Sequence, residues 1–189
     1  MKRLEQTILI VTFWCFCWLA MQAVHELGHV MAALITGATI TKVALHPFII
    51  SRTDLGHNPH PGMVVWAGPL VGCLLPALAY YAAKYLRSPG LYLYRFFAGF
   101  CLISNGAYIG FASAEGGADS AIMIMHGAPR WLLIIFGLTA IAYGLSLWHR
   151  QGPHFGLGEA KGKVDRKAVI VSAILFLAIF VIELIVNSK

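Results

Sequence analysis

The chain has 189 residues, of which 59% are hydrophobic and 12% charged, with a mean hydropathy of +0.74. Ordinary soluble domains carry roughly 25% charged residues, so this composition excludes a soluble globular protein, a disordered chain and a fibrous repeat. The net charge of +6, from 14 Lys and Arg against 8 Asp and Glu, is scattered through short connections between apolar runs, which reads as membrane topology and argues against a nucleic-acid partner.

The first apolar run, Ile8 to Val24, follows Lys2 and Arg3 as a signal-peptide core would, but His25-Glu26 interrupts it and no small-residue cleavage site follows. It is read instead as the start of a helix that continues through Leu34-Ile35 and stops at Gly37. The connection from Ala38 to Gly62 opens with the β-prone Thr39-Ile40-Thr41-Lys42-Val43 and continues through Phe48-Ile49-Ile50-Ser51-Arg52. With turn residues at Asn58-Pro59-His60-Pro61-Gly62, it predicts a small hairpin lying against the membrane.

Four more apolar runs follow, at Met63 to Ala83, Leu91 to Ala112, Trp131 to Trp148 and Ala168 to Val186. Each comes close to the roughly 20 residues that cross a hydrocarbon core as a helix. A Gly-rich, partly polar stretch from Ser113 to Arg130 separates the third run from the fourth, Trp131 and Trp148 bracket the fourth as interfacial anchors would, and Arg150 to Lys167 reads as a flexible aqueous loop. The expected fold is an all-α polytopic membrane protein of about five transmembrane helices with a small membrane-associated β-hairpin after the first. A single membrane-embedded domain would span residues 1–189, with a core at about 7–130 and further helices at about 131–148 and 168–186. Lys2, Arg3, Lys84, Arg87, Arg95, Arg150, Lys161, Lys163, Arg166 and Lys167 fall on one side of five such spans, and Lys42, Arg52, Arg130 and Lys189 on the other. The positive-inside rule then predicts a multi-pass integral membrane protein with a cytoplasmic N-terminus.

Cys15, Cys17, Cys73 and Cys101 lie inside apolar runs and read as small core residues. The chemistry concentrates at His25-Glu26-Leu27-Gly28-His29. Residues i and i+4 share one helical face, so both imidazoles can reach one Zn²⁺, while Glu26 lies close enough to take a proton from a water on that metal. With eight His and five Glu in the chain, about 0.01 occurrences of this pattern are expected by chance. Three ionisable residues within about one turn of a membrane helix are costly and mark a functional site.

A catalytic zinc site usually takes three protein ligands. Asp119, which follows Gly116-Gly117 at the start of an apolar half-helix, is the leading candidate for the third, with Glu115 and His126 as substitutes. Asp119 also reads as a helix N-cap ahead of Ala121-Ile122. His46, His57 and His60 offer a second His-rich loop, read as interfacial because Pro-rich segments make poor preformed sites, and Glu183 reads as a carboxylate that reaches water near the polar C-terminus.

The chain resembles the site-2 protease family of intramembrane zinc metalloproteases through three features. These are His25-Glu26-Leu27-Gly28-His29 on an early membrane helix, Ala67-Gly68-Pro69-Leu70 opening the next, and an aspartate downstream near a glycine pair, together covering roughly residues 7 to 130. The family usually writes that aspartate as Leu-Asp-Gly after an Asn-Pro break, where this chain has Ala118-Asp119-Ser120. The resemblance implies a three-helix catalytic core, His25, His29 and Asp119 as zinc ligands, Glu26 as general base, and a transmembrane protein segment as substrate.

Asn105 is expected either to help at the reacting centre or to satisfy a neighbouring backbone group. Ile40 and Val43 are expected to bind an unwound substrate as an added strand. The alternative function is a zinc-binding membrane protein without peptidase activity, a transporter or a pseudoprotease. A transporter should carry further ionisable residues along its spans, and a pseudoprotease would usually lose the base.

Overall fold

The computed structural model describes residues 2–115 and 118–187, with side chains at 112–115, 118 and 187 left out of the description. Six helices and one two-stranded sheet follow in the order α1 (Lys2–Thr36), β1 (Ile40–Ala44), β2 (Arg52–Leu55), α2 (Pro61–Tyr85), α3 (Leu91–Glu115), α4 (Ala118–Met125), α5 (Arg130–Trp148) and α6 (Arg166–Asn187). Among the described residues, α1, α2, α5 and α6 are long and apolar enough to cross a membrane. That is four such helices among the described residues where about five spans are expected; the remaining expected run, Leu91 to Ala112, forms α3, and the side chain at 112 lies outside the described residues. α3 is as long as α2, but it carries Arg95, Asn105 and three glycines, at 99, 106 and 110, in place of lipid-soluble side chains. It tolerates them because it is enclosed by protein, packing on α5, α2 and α1. α6 is the opposite case, with mean hydropathy 3.1 and only 11% of its most apolar window buried.

Local sequence accounts for the boundaries. α1 ends where Gly37 takes φ +76°, and the Ala38 N–H donates to the Ala33 carbonyl at 2.9 Å, a left-handed cap that glycine adopts without strain. α2 begins on Pro61, whose missing N–H is one the first turn leaves unpaired in any case. α3 and α5 meet at glycines: a methyl added at Gly137 would overlap the Gly106 carbonyl and the Gly110 backbone, so the two helices approach to backbone contact.

The hairpin departs from the expected register. Ile40 pairs with Leu55, Val43 with Thr53 and Ala44 with Arg52, with an irregularity between Ile40 and Lys42. The second strand therefore lies after the apolar Phe48-Ile49-Ile50 stretch, which forms the turn instead. Pro47 provides the reason, since it cannot donate to a ladder, and Phe48 instead sets its ring edge-on to Phe180 of α6, with centroids 5.9 Å apart.

One end of the molecule collects the α1 N-terminus, the α2–α3 connection and the α5–α6 connection. Gln6 Nε2 donates to the Phe155 carbonyl at 3.0 Å, Trp148 Nε1 to the Phe96 carbonyl at 2.9 Å, and Arg166 Nε meets Glu5 Oε1 at 2.9 Å. The expected aqueous loop is thus tied down, with two 3₁₀ turns, Gly152–Phe155 and Gly158–Ala160, and Phe155 buried against Leu9, Phe13 and Phe100. The hairpin and the C-terminal end of α4 lie at the other end, on the side of His29.

Candidate metal centre

His25 and His29 are both buried on α1, at 8% and 7% exposure, because that face packs on α2 and α3. The approach is close enough to constrain the sequence. A methyl at Gly28 would overlap the Ala67 carbonyl, and one at Gly68 would overlap the His29 ring and stand 2.9 Å from His25 Nε2. Gly28 of the histidine motif and Gly68 of Ala67-Gly68-Pro69-Leu70 are therefore two halves of one contact.

Each imidazole is oriented through its Nδ1. His29 Nδ1 lies 2.9 Å from the Val64 carbonyl, which can only accept, so Nδ1 carries the proton. His25 Nδ1 lies 2.6 Å from Asn105 Oδ1, and Asn105 Nδ2 donates to the Cys101 carbonyl at 2.9 Å. That second bond fixes which end of the amide faces His25, so His25 Nδ1 must donate as well. Both rings are then left with bare Nε2 lone pairs aimed inward.

Asp119 joins them from the second position of α4. Its Oδ2 lies 3.0 Å from His25 Nε2 and 3.4 Å from His29 Nε2, and the two Nε2 atoms are 3.0 Å apart. Three acceptors facing one another repel unless a cation or a proton lies between them. The ligand atoms of a tetrahedral zinc site with bonds of about 2.0–2.1 Å stand about 3.3 Å apart, so spacing and donor type both fit a small divalent cation. Among the described residues, His25, His29 and Asp119 form the one group of three or more potential ligands that could hold a metal ion.

α4 is short; it packs on α2 and α3, with Met123 buried beside Val65 and Ile109, and two polar contacts tie it to α3. The Asp119 N–H points to Tyr108 Oη at 3.5 Å, and Ser120, fully buried, donates from Oγ to the Ile109 carbonyl at 3.3 Å. The alternative reading of Asp119 as an N-cap does not describe it, since the helix already includes Ala118 and the carboxylate turns towards the histidines. His126 is exposed at the end of α4. The Gly116-Gly117 break and the Glu115 side chain lie outside the described residues.

Glu26 is 4% exposed and occupies a different face of α1. Its Oε1 accepts from Ser51 Oγ at 2.8 Å and its Oε2 from Thr53 Oγ1 at 2.6 Å, while Gln22, one turn earlier, accepts the Ser51 N–H at 2.9 Å. The triad, Glu26 and β2 all line one cavity of about 1090 Å³, walled on its apolar side by Trp18, Met21, Val65, Ile122 and Met125.

Two expected site residues are placed elsewhere. Ile40 and Val43 lie on β1, which does not line the cavity, and Ile40 packs against Ala33, Ala38 and Val64 beneath the hairpin. The strand that borders the cavity is β2. Asn105 lines the cavity, but its polar atoms are committed to His25 and to Cys101. It orients His25 while also satisfying a backbone carbonyl. Glu183 is 2% exposed rather than water-facing, and it stands on α6, which among the described residues contributes nothing to the cavity.

Ser51, Thr53, Tyr108 and the Val64 carbonyl were not legible as site groups. Nor was Gln22 singled out from the sequence, although a polar residue one turn before Glu26 inside an otherwise apolar run is a signal that points to it.

Compared with protein-family models, with curated proteins and with solved structures, the chain matches none.

Proposed function

We propose that this chain is an intramembrane zinc metalloprotease of the site-2 protease kind, which hydrolyses a peptide bond in or near a transmembrane segment of another protein. The observation that carries this reading is the convergence of His25 Nε2, His29 Nε2 and Asp119 Oδ2, with both Nδ1 protons committed elsewhere, beside a buried glutamate in one cavity. Two imidazoles and one carboxylate are a donor set of catalytic zinc sites that keep one position open. A Zn²⁺ held by His25, His29 and Asp119 would supply Lewis acidity for a carbonyl and for water near neutral pH.

The protein's own groups do the rest. Glu26 accepts the proton of the attacking water and returns it to the leaving amine. Asn105 and Val64 keep the imidazoles turned inward. A peptide bond inside an intact helix is shielded by its own hydrogen bonds, so the substrate must be extended before it reacts. β2 borders the cavity and, among the described residues, pairs in its sheet with β1 alone, so it offers main-chain groups to such an extended segment, with the apolar wall to receive its side chains.

The test compares wild type with Glu26→Gln on a transmembrane peptide in detergent or bilayer, alongside metal analysis. Wild type should hold about one zinc per chain, as a mononuclear site requires. Glu26→Gln should keep that zinc and lose turnover by at least the roughly 10²–10⁴-fold typical of a general base. Equal cleavage by both, zinc retained in His25→Ala or Asp119→Ala, or iron in place of zinc would overturn the reading.

A further inference from the structure

Glu26 is the one member of the site whose two oxygens are both engaged by side chains of the hairpin, at 2.8 Å from Ser51 and 2.6 Å from Thr53. Carboxylates at the edge of a cavity normally turn to meet water, since rotation about the terminal torsion is broad and nearly free. Here that rotation is stopped twice, once per oxygen. Each oxygen has more than one acceptor site, so a lone pair remains on each for a proton coming from the cavity.

The clip has a third point. Gln22 and Glu26 are one turn apart on α1, and the Ser51 N–H donates to Gln22 Oε1 at 2.9 Å, so the backbone entering β2 is fastened to the same face of the helix as the Ser51 and Thr53 hydroxyls. Gln22, Glu26, Ser51 and Thr53 all line the cavity. Hydroxyls at both positions are unnecessary for the strand itself, which pairs through its backbone, Val43 opposite Thr53 and Ala44 opposite Arg52.

We infer that Ser51 and Thr53 are positioning residues that hold the Glu26 carboxylate in one orientation beside the metal triad. Because they stand on and just before β2, the segment that borders the cavity also orients the base. An extended peptide docking on β2 therefore meets a base already aimed. The role in turnover rests on the protease reading above; the clip itself does not.

The experiment removes the hydroxyls and keeps the bulk, as Ser51→Ala with Thr53→Val, and compares that variant with the conservative exchange Ser51→Thr with Thr53→Ser. Two readouts are taken on the full chain with zinc bound: kcat and KM on a transmembrane peptide, and amide hydrogen exchange of residues 50–55, which needs no catalysis. Removal should lower kcat by about 10–100-fold, the scale of a small misplacement of a reacting group, with KM changed less than about twofold and exchange of 50–55 accelerated. The conservative exchange should keep both near wild type, which a merely space-filling role would not require. Wild-type kcat and wild-type exchange in the hydroxyl-free variant would overturn the inference. If wild type cleaves nothing and exchange still accelerates on removal, the clip stands and the protease reading falls.

Discussion

Asn105 is the residue on which the tautomer of His25 turns. Its Oδ1 meets His25 Nδ1 at 2.6 Å, deep among α1, α2 and α3, at 1% exposure. Removing that acceptor frees the ring to rotate or to carry its proton on Nε2, where it would oppose a metal. Asn105→Ala should therefore weaken zinc binding by about 10–100-fold, the usual effect of losing such an orienting partner, as read by competition with a chelator. Asn105→Asp keeps an acceptor for His25 and should bind zinc more tightly than Asn105→Ala. Equal affinities in the two variants would mean that His25 is held by packing alone.

At the scale of elements, the contact between α1 and α2 decides where the two imidazoles point. A methyl at Gly68 would overlap the His29 ring and stand 2.9 Å from His25 Nε2, and both rings are held in place by hydrogen bonds at Nδ1. Gly68→Ala should lower thermal stability by the roughly 1–3 kcal/mol typical of overpacking and weaken zinc binding with it. An alanine at Gly37 meets open space but requires φ +76°, so it should cost stability and leave the metal untouched. The hairpin divides its duties between strands in the same way. Ile40 is half-buried on β1 against Ala33, Ala38 and Val64, away from the cavity. Ile40→Ala should cost about 1–2 kcal/mol of stability with KM unchanged, and a large rise in KM would return substrate binding to β1.

At the scale of the whole molecule, two ends differ in charge. The ten basic residues at the α1 N-terminus, in the two connections beside it and on the helix ends that flank those connections share one end, tied together through Glu5, Gln6 and Trp148. The hairpin lies at the other, close to the metal triad. Loops rich in Lys and Arg stay in the cytoplasm, so the metal centre should open towards the opposite face. With Cys15 replaced by Ser, cysteines introduced at Arg87 or Lys161 should react with a membrane-impermeant reagent only in inverted vesicles, and one at Phe48 only in right-side-out vesicles. The reverse pattern would invert the topology and leave the site geometry unaffected.

His25, Glu26 and His29 were legible from the chain alone, since an i, i+4 pair lies on one helical face wherever that helix packs, and a run of ionisable residues in an apolar helix has few other uses. The helices were legible for a related reason: in lipid every backbone group must bond within its own segment, so a long apolar run has one conformation open to it. What required the tertiary structure was the meeting of groups from distant parts of the sequence, since the chain alone left Asp119 as the leading of three candidates and Asn105 with two possible roles. Asp119 meets His25 across 94 positions, Asn105 across 80 and Thr53 meets Glu26 across 27. No local pattern in hydroxyls or amides encodes such meetings, because they follow from how closely glycine-lined helices approach and where Pro47 turns the hairpin. The same packing explains α3, whose Arg95, Asn105 and glycines weaken its hydropathy as a span. Only the neighbouring helices make those residues affordable there.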